Sequence, residues 1–120
     1  MYRHLLATIA ISQSCPPGRR LLVIAGQIGN LSDGTIVEGL EAQYEQALVN
    51  INTIVASEGG TSEDSARITV FLVEKPDKPF AREVDKKHFP AGPPAMSWVY
   101  VAGLFRPDVK VEIEAIAAVP

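Results

Sequence analysis

The stretch "AMSWVYVAGLFRPDVKVEIEAIAAV", residues 95–119, decides the fold, because it reads as two strands and the turn between them. In "VKVEIEAIAA" the residues alternate, so Lys110, Glu112 and Glu114 share one face while Val111, Ile113 and Ala115 share the other. Upstream, Met96, Trp98 and Tyr100 take alternate positions of "MSWVYVAGL" and line one face of their own strand. "FRPD" (105–108) supplies the turn. The carboxylate row is either a solvated face or the wall of a cleft where a proton or a water is handled. The residues alone leave both open.

Working back from this pair, "ARITVFLVE" (66–74) is β-branched and apolar on both faces, which predicts a central strand. "DKPFAREVDKKHF" (77–89) sets Phe80, Val84, His88 and Phe89 on one side, a short second helix that "AGPPA" ends. Between Thr35 and Glu58 the apolar residues fall at 36, 40, 44, 47, 48, 51, 54 and 55, the spacing of a long helix. Gly59-Gly60 should stop it with a left-handed cap. "LLVIAGQIG" (21–29) is a buried strand that turns at its glycines, and "HLLATIAIS" (4–12) is one further strand, set off by "QSCPPGRR". The order is ββαβαββ: an α+β domain spanning 1–120, with two helices against one mixed sheet. The second sheet face, expected to carry Thr69 and Tyr100 beside the Lys110–Glu114 row, then faces solvent or another copy of the chain.

Composition narrows the function. The chain is 47% hydrophobic and 21% charged, with a net charge of −3 and no basic stripe, so a nucleic-acid partner is not expected. The lone Cys15 has no partner for an internal disulfide, and His4 and His88 form no cluster with metal-site spacing. No cofactor is implied. The chain holds no apolar run of the roughly eighteen residues a membrane helix needs, and its N-terminus lacks the order of a signal peptide, so a cytoplasmic setting is expected. Cys15, Ser12 and Ser97 have no adjacent base, which argues against a nucleophile, and His88 reads as a partly buried structural residue.

Four segments, "AGQIG", "EAQYEQALVNINTIVASEGG", "ARITVFLVE" and "PAMSWVYVAGLFRPDVKVEIEAIA", resemble in order and spacing the Rid family. These are the YjgF-like reactive intermediate deaminases, whose older name is endoribonuclease L-PSP. The resemblance runs from about Ile11 to Ala117. It implies a chorismate-mutase-like subunit, a homotrimer with a central barrel, and small-molecule clefts between neighbouring subunits. It also implies hydrolysis of 2-imino or enamino acids to 2-keto acids and ammonia. In that branch the motif Pro-Ala-Arg-Ser grips the substrate carboxylate through its Arg. Here the same place reads Pro94-Ala95-Met96-Ser97. The family's water-positioning Glu falls on Glu112, its early Tyr on Ile11, and the Ser before its Gly-Gln on Ala25, ahead of Gly26 and Gln27. The scaffold matches and the polar set of the active site does not.

The resemblance makes Glu112 the candidate general base, against the plainer role of an acid paired with Lys110 on a wet face. Met96, Ser97 and Trp98 are candidate binding residues, together with Ile11, Ala25, Gly26 and Gln27. The plainer alternative for Met96 and Trp98 is packing, in the core or at a subunit contact. Arg106, the cation of the last turn, could replace the missing clamp or simply be solvated. Three functions follow: an imine or enamine deaminase with an unusual substrate, a binding trimer that has lost the chemistry, and, weakest, a ribonuclease.

Overall fold

A computed structural model describes the backbone of residues 2–6 and 9–120, and the side chains from Ser12 onward. Its strands are β1 (Tyr2–Leu6), β2 (Ile9–Ser14), β3 (Arg20–Gln27), β4 (Ser65–Leu72), β5 (Ala95–Tyr100) and β6 (Val111–Val119). Its helices are α1 (Leu40–Ser57) and α2 (Ala81–His88). Strands β1 and β2 pair antiparallel, so the segment 4–12, expected as one strand, falls in two. The element order is therefore βββαβαββ rather than ββαβαββ.

The main sheet runs β3-β6-β4-β5. Strand β6 sits antiparallel between β3 and β4, while β4 and β5 are parallel. A parallel neighbour needs a crossover, and α2 lies within that connection. The sheet is mixed, as the pattern predicts. One face of it carries Ile24, Ile68, Val70, Leu72, Val111, Ile113 and Ala115 into a single core with Tyr44, Leu48 and Ile51 of α1 and Val84 of α2. Both helices thus cover the same face.

Helix α1 starts at Leu40, later than the spacing from Thr35 predicts. Residues 31–35 are instead a turn closed by Leu31 N–H to the Thr35 carbonyl at 2.8 Å, with Asp33 accepting from the Thr35 amide. The C-terminus behaves as read: Gly59 has φ 85°, its N–H reaches the Ala56 carbonyl, and Gly60 N–H reaches that of Val55. That pair of bonds is a Schellman cap, and the positive φ is what requires glycine there.

The periodicity of α1 does not mark Gln43, which is buried. Its Nε2 donates to the Asp108 carbonyl and its Oε1 accepts from the Lys110 amide, both at 2.8 Å. One side chain therefore clips the turn that leads into β6, two residues before Glu112. Replacing Gln43 by Ala strands both backbone groups, and we expect a loss of about 2–4 kcal/mol in urea unfolding. A loss under about 0.5 kcal/mol would mean water replaces both bonds.

Candidate functional site

Register decides which candidates meet. Met96, Trp98 and Tyr100 pair with Ile68, Val70 and Leu72, so their row lies on the helix-covered face. Glu112 and Glu114 pair with Phe71 and Thr69, on the opposite face. Tyr100 therefore does not share the open face with the carboxylates, contrary to the sequence expectation; Thr69 does. Glu112 and Met96 of one chain are separated by the sheet itself.

The open face has an apolar stretch beside the acids. Leu21 and Val23 of β3 are 72% and 70% exposed, with Ile116 and Val99 also exposed. On this face Arg67 of β4 donates through Nη2 to the Ser97 hydroxyl at 2.7 Å. Reading "ARITVFLVE" as apolar on both sides passes over Arg67. Its alternation of Arg67, Thr69 and Phe71 against Ile68, Val70 and Leu72 was the available signal.

Glu112 is half-buried and makes no ion pair or hydrogen bond among the described residues. Lys110, the plain partner for it, reaches Glu74 instead, at 3.6 Å. The pairing of β3 with β6 shifts between Ile24 and Gln27, which places Gly26 against the Glu112 side chain. A Cβ on Gly26 would come within 2.6 Å of the Glu112 carboxyl carbon. The carboxylate thus occupies space that only glycine leaves open. We expect Gly26→Ala to fold but to swing the Glu112 carboxylate away, seen as a shift of the Glu112 side-chain NMR signals. Unmoved signals would show that the added methyl is absorbed by the strand.

The remaining candidates are dispersed. Ala25 is exposed, and its carbonyl accepts from Nε2 of Gln27, which turns that side chain back on its own strand. Ile11 lies in β2, and its side chain falls outside the described residues. The neighbouring Gln13 accepts from the Ala95 amide at 3.0 Å, tying β2 to the start of β5. Arg106 forks onto both carboxylate oxygens of Asp108, at 3.0 and 2.7 Å, and is held in its exposed turn. Cys15 is a free, exposed thiol. Among the described residues no group of three or more His, Cys, Asp or Glu could hold a metal, and no helix is long and apolar enough to cross a membrane.

On the helix side, Trp98 packs on Tyr44 at 5.2 Å between ring centroids, and Tyr44 meets Phe80 edge-on at 5.4 Å. The Tyr44 hydroxyl donates to Asp85 at 2.6 Å. Burial, more than the Asp85 charge, pushes the Tyr44 phenol far up from its ordinary value. Burial also raises the Asp85 carboxyl, against the Tyr44 hydrogen bond and the charge of His88, which lower it. His88 meets Glu45 at 2.7 Å, as does Lys87 at 2.8 Å. A raised carboxyl binds its proton more tightly in the folded chain. Its contribution to stability is therefore full below the ordinary value of 3.8 and is lost as pH rises through the folded value. Asp85→Asn, whose amide oxygen still accepts from Tyr44, should remove that loss. Urea titrations at several pH values should show the variant gaining on wild type above pH 3.8. A gap that does not change with pH would contradict the raised carboxyl.

Fold and site define a two-layer α+β protein that displays, on the sheet face its helices leave open, a carboxylate unpaired among the described residues. A family model described as Endoribonuclease L-PSP matches residues 5–119, and the chain belongs to that family, the Rid or YjgF-like proteins. It is 38% identical over 108 residues to a RutC family protein of Pyrococcus horikoshii, covering 88% of this chain and 84% of the relative. It is 36% identical to the 2-iminobutanoate/2-iminopropanoate deaminase of Salmonella typhimurium, covering 81% and 78%. The matched region covers 81% of this chain but 52% of Reactive Intermediate Deaminase A, chloroplastic, of Arabidopsis thaliana, at 34% identity. Among solved structures, RidA from the Antarctic bacterium Psychrobacter sp. superposes with a TM-score of 0.74 at 29% identity, covering 98% and 93%.

Proposed function

We propose that the chain forms a homotrimer whose inter-subunit clefts bind a small molecule and hydrolyse an imine or enamine, with Glu112 handling the water. The observation that carries this is the Glu112 carboxylate, unpaired among the described residues and seated over Gly26 beside an exposed apolar stretch of the sheet. A closed rotational assembly would bury that face once per subunit. It would also resolve the separation of Met96 from Glu112, because residues on opposite faces of one sheet can share a cleft only across a subunit boundary. The deaminase names carried by relatives point to the same chemistry.

In this proposal Glu112 takes a proton from water as the oxygen adds to the C=N carbon. Glu112 passes that proton to the nitrogen, and the carbinolamine then moves its hydroxyl proton to the nitrogen as the C–N bond breaks, releasing ammonia and leaving a carbonyl product. Met96 offers neither charge nor donor, so a 2-imino carboxylate lacks its clamp and the preferred substrate is a different imine. We place the protein in the cytoplasm, without membrane or nucleic-acid partners. The same Met96 favours a second function, a binding trimer without catalysis. The test is the loss of imines generated in situ from a panel of amino acids and of amines that carry no carboxylate, with and without the protein. Faster loss for at least one imine supports the deaminase, and none across the panel leaves the binding trimer. RNA cleavage that survives purification and disappears with Glu112→Gln would support the ribonuclease instead.

A further inference from the structure

Strand β3 carries one residue more than its pairing with β6 needs. Its pairs run from Ile24 with Ala115 to Gln27 with Ile113, three steps along β3 against two along β6. Ala25 and Gly26 therefore bulge, and a bulge re-aims the side chains around it. This one puts Gly26 against the Glu112 side chain. A regular ladder continued from Ile24 would set Gly26 opposite Ile113 and Gln27 opposite Glu112. Gly26 would then turn to the helix-covered face and leave the carboxylate. The bulged register has to be held against that one-residue slip.

The hold comes from α1. Asn50 donates through Nδ2 to the carbonyls of Ile28 at 2.9 Å and Asn30 at 3.0 Å, and lies 3.1 Å from the Asn30 Oδ1. The Gly29 carbonyl between them accepts from the Val37 amide at 2.9 Å, so three successive carbonyls beyond the bulge are engaged. Gln46 donates to the Asn50 Oδ1 at 3.0 Å, which keeps the Asn50 NH2 turned to the strand exit. Gly29 lets the helix come this close, since a Cβ there would lie 2.6 Å from the Cα of Gln43. Asn50 stands seven residues from Gln43, about two turns along the same stripe of α1. Gln43 clips the chain just before Glu112, and Asn50 clips the chain just after Gly26.

We infer that Asn50 is a positioning residue: by pinning residues 28–30 to α1 it keeps the β3 bulge in register and Gly26 beneath the Glu112 carboxylate. It touches no substrate. The positioning stands on geometry, and only its consequence for rate rests on the proposed role of Glu112.

The close approach of Gly26 to Glu112 should give a nuclear Overhauser cross-peak between the Gly26 α-protons and the Glu112 γ-protons of the wild-type protein. Its absence there would overturn the inference before any variant is made. Asn50→Ala should lose the cross-peak and shift the Glu112 side-chain signals. Asn50 is half-buried and lines an open groove with Asn30 and Gln46, so water reaches the freed carbonyls and the variant should fold. Asn50→Asp keeps the shape but has no donor for the carbonyls, and should act alike. Tyr44→Phe removes a hydrogen bond from the same helix to Asp85, so it should cost stability and leave the cross-peak in place. With any imine that wild type turns over, Asn50→Ala should lower kcat by roughly 10²-fold and leave KM little changed. A cross-peak kept in either folded Asn50 variant, or lost equally in Tyr44→Phe, would overturn the inference. So would an unchanged kcat beside a lost cross-peak. Hydrolysis missing from wild type as well would strike the proposed deaminase alone, because the cross-peak reads the positioning without substrate.

Discussion

Glu112→Gln is expected to lower imine hydrolysis by about 10²- to 10⁴-fold, the range a positioned general base contributes. The amide keeps the shape of the carboxylate but cannot accept a proton from water. No ion pair or hydrogen bond of Glu112 is lost among the described residues, so the fold should tolerate the change. A merely structural acid would behave differently: stability would move and the rate would not. Parallel urea unfolding separates the two. Unchanged hydrolysis in a folded Glu112→Gln protein would make the Glu112–Glu114 row an ordinary wet or interfacial face.

Met96→Arg is expected to restore recognition of small 2-keto and 2-imino carboxylates. A carboxylate in a desolvated cleft without its guanidinium lacks a pair worth about 2–5 kcal/mol. At 1.36 kcal/mol per tenfold, this corresponds to roughly 30- to several-thousand-fold. Wild type should therefore turn over 2-iminopropanoate poorly, and calorimetry with 2-ketobutyrate should show Met96→Arg gaining affinity on that scale. Met96 is half-buried and packs against the core, so the guanidinium must extend past the sheet edge to reach a ligand. A folded variant with no gain would place position 96 in the core rather than on the cleft. Wild-type turnover already comparable to that of the variant would mean another cation supplies the clamp. Arg106 is poorly placed for that while it forks onto Asp108, whereas Arg67 stands on the open face beside Ser97.

Much of the fold was legible because it rests on periodicity. The alternation of "VKVEIEAIAA" sorted β6 correctly, with Val111, Ile113 and Ala115 buried and Glu114 exposed. The spacing along α1 picked out Tyr44, Ala47, Leu48, Ile51 and Val55, all buried. The division of residues 4–12 between two antiparallel strands was missed because no Gly, Pro, Asn or Asp between Leu6 and Ile9 interrupts the segment. Gln43 was missed because a polar residue on an apolar stripe looks like a break, when its partners are backbone groups 65 and 67 residues away.

The site was less legible for a different reason. Periodicity tells which residues of one strand share a face, but not which faces of two strands coincide. Met96 and Glu112 were each placed correctly within their own strands. Only the register of β4 with both neighbours puts them on opposite sides of the sheet. That separation makes assembly the hinge of the functional proposal.

Light scattering on the purified protein tests it most directly. The account predicts a mass of about three times the 12.9 kDa chain, stable on dilution. A stable monomer would contradict it, because Met96 and Glu112 would then have no cleft to share.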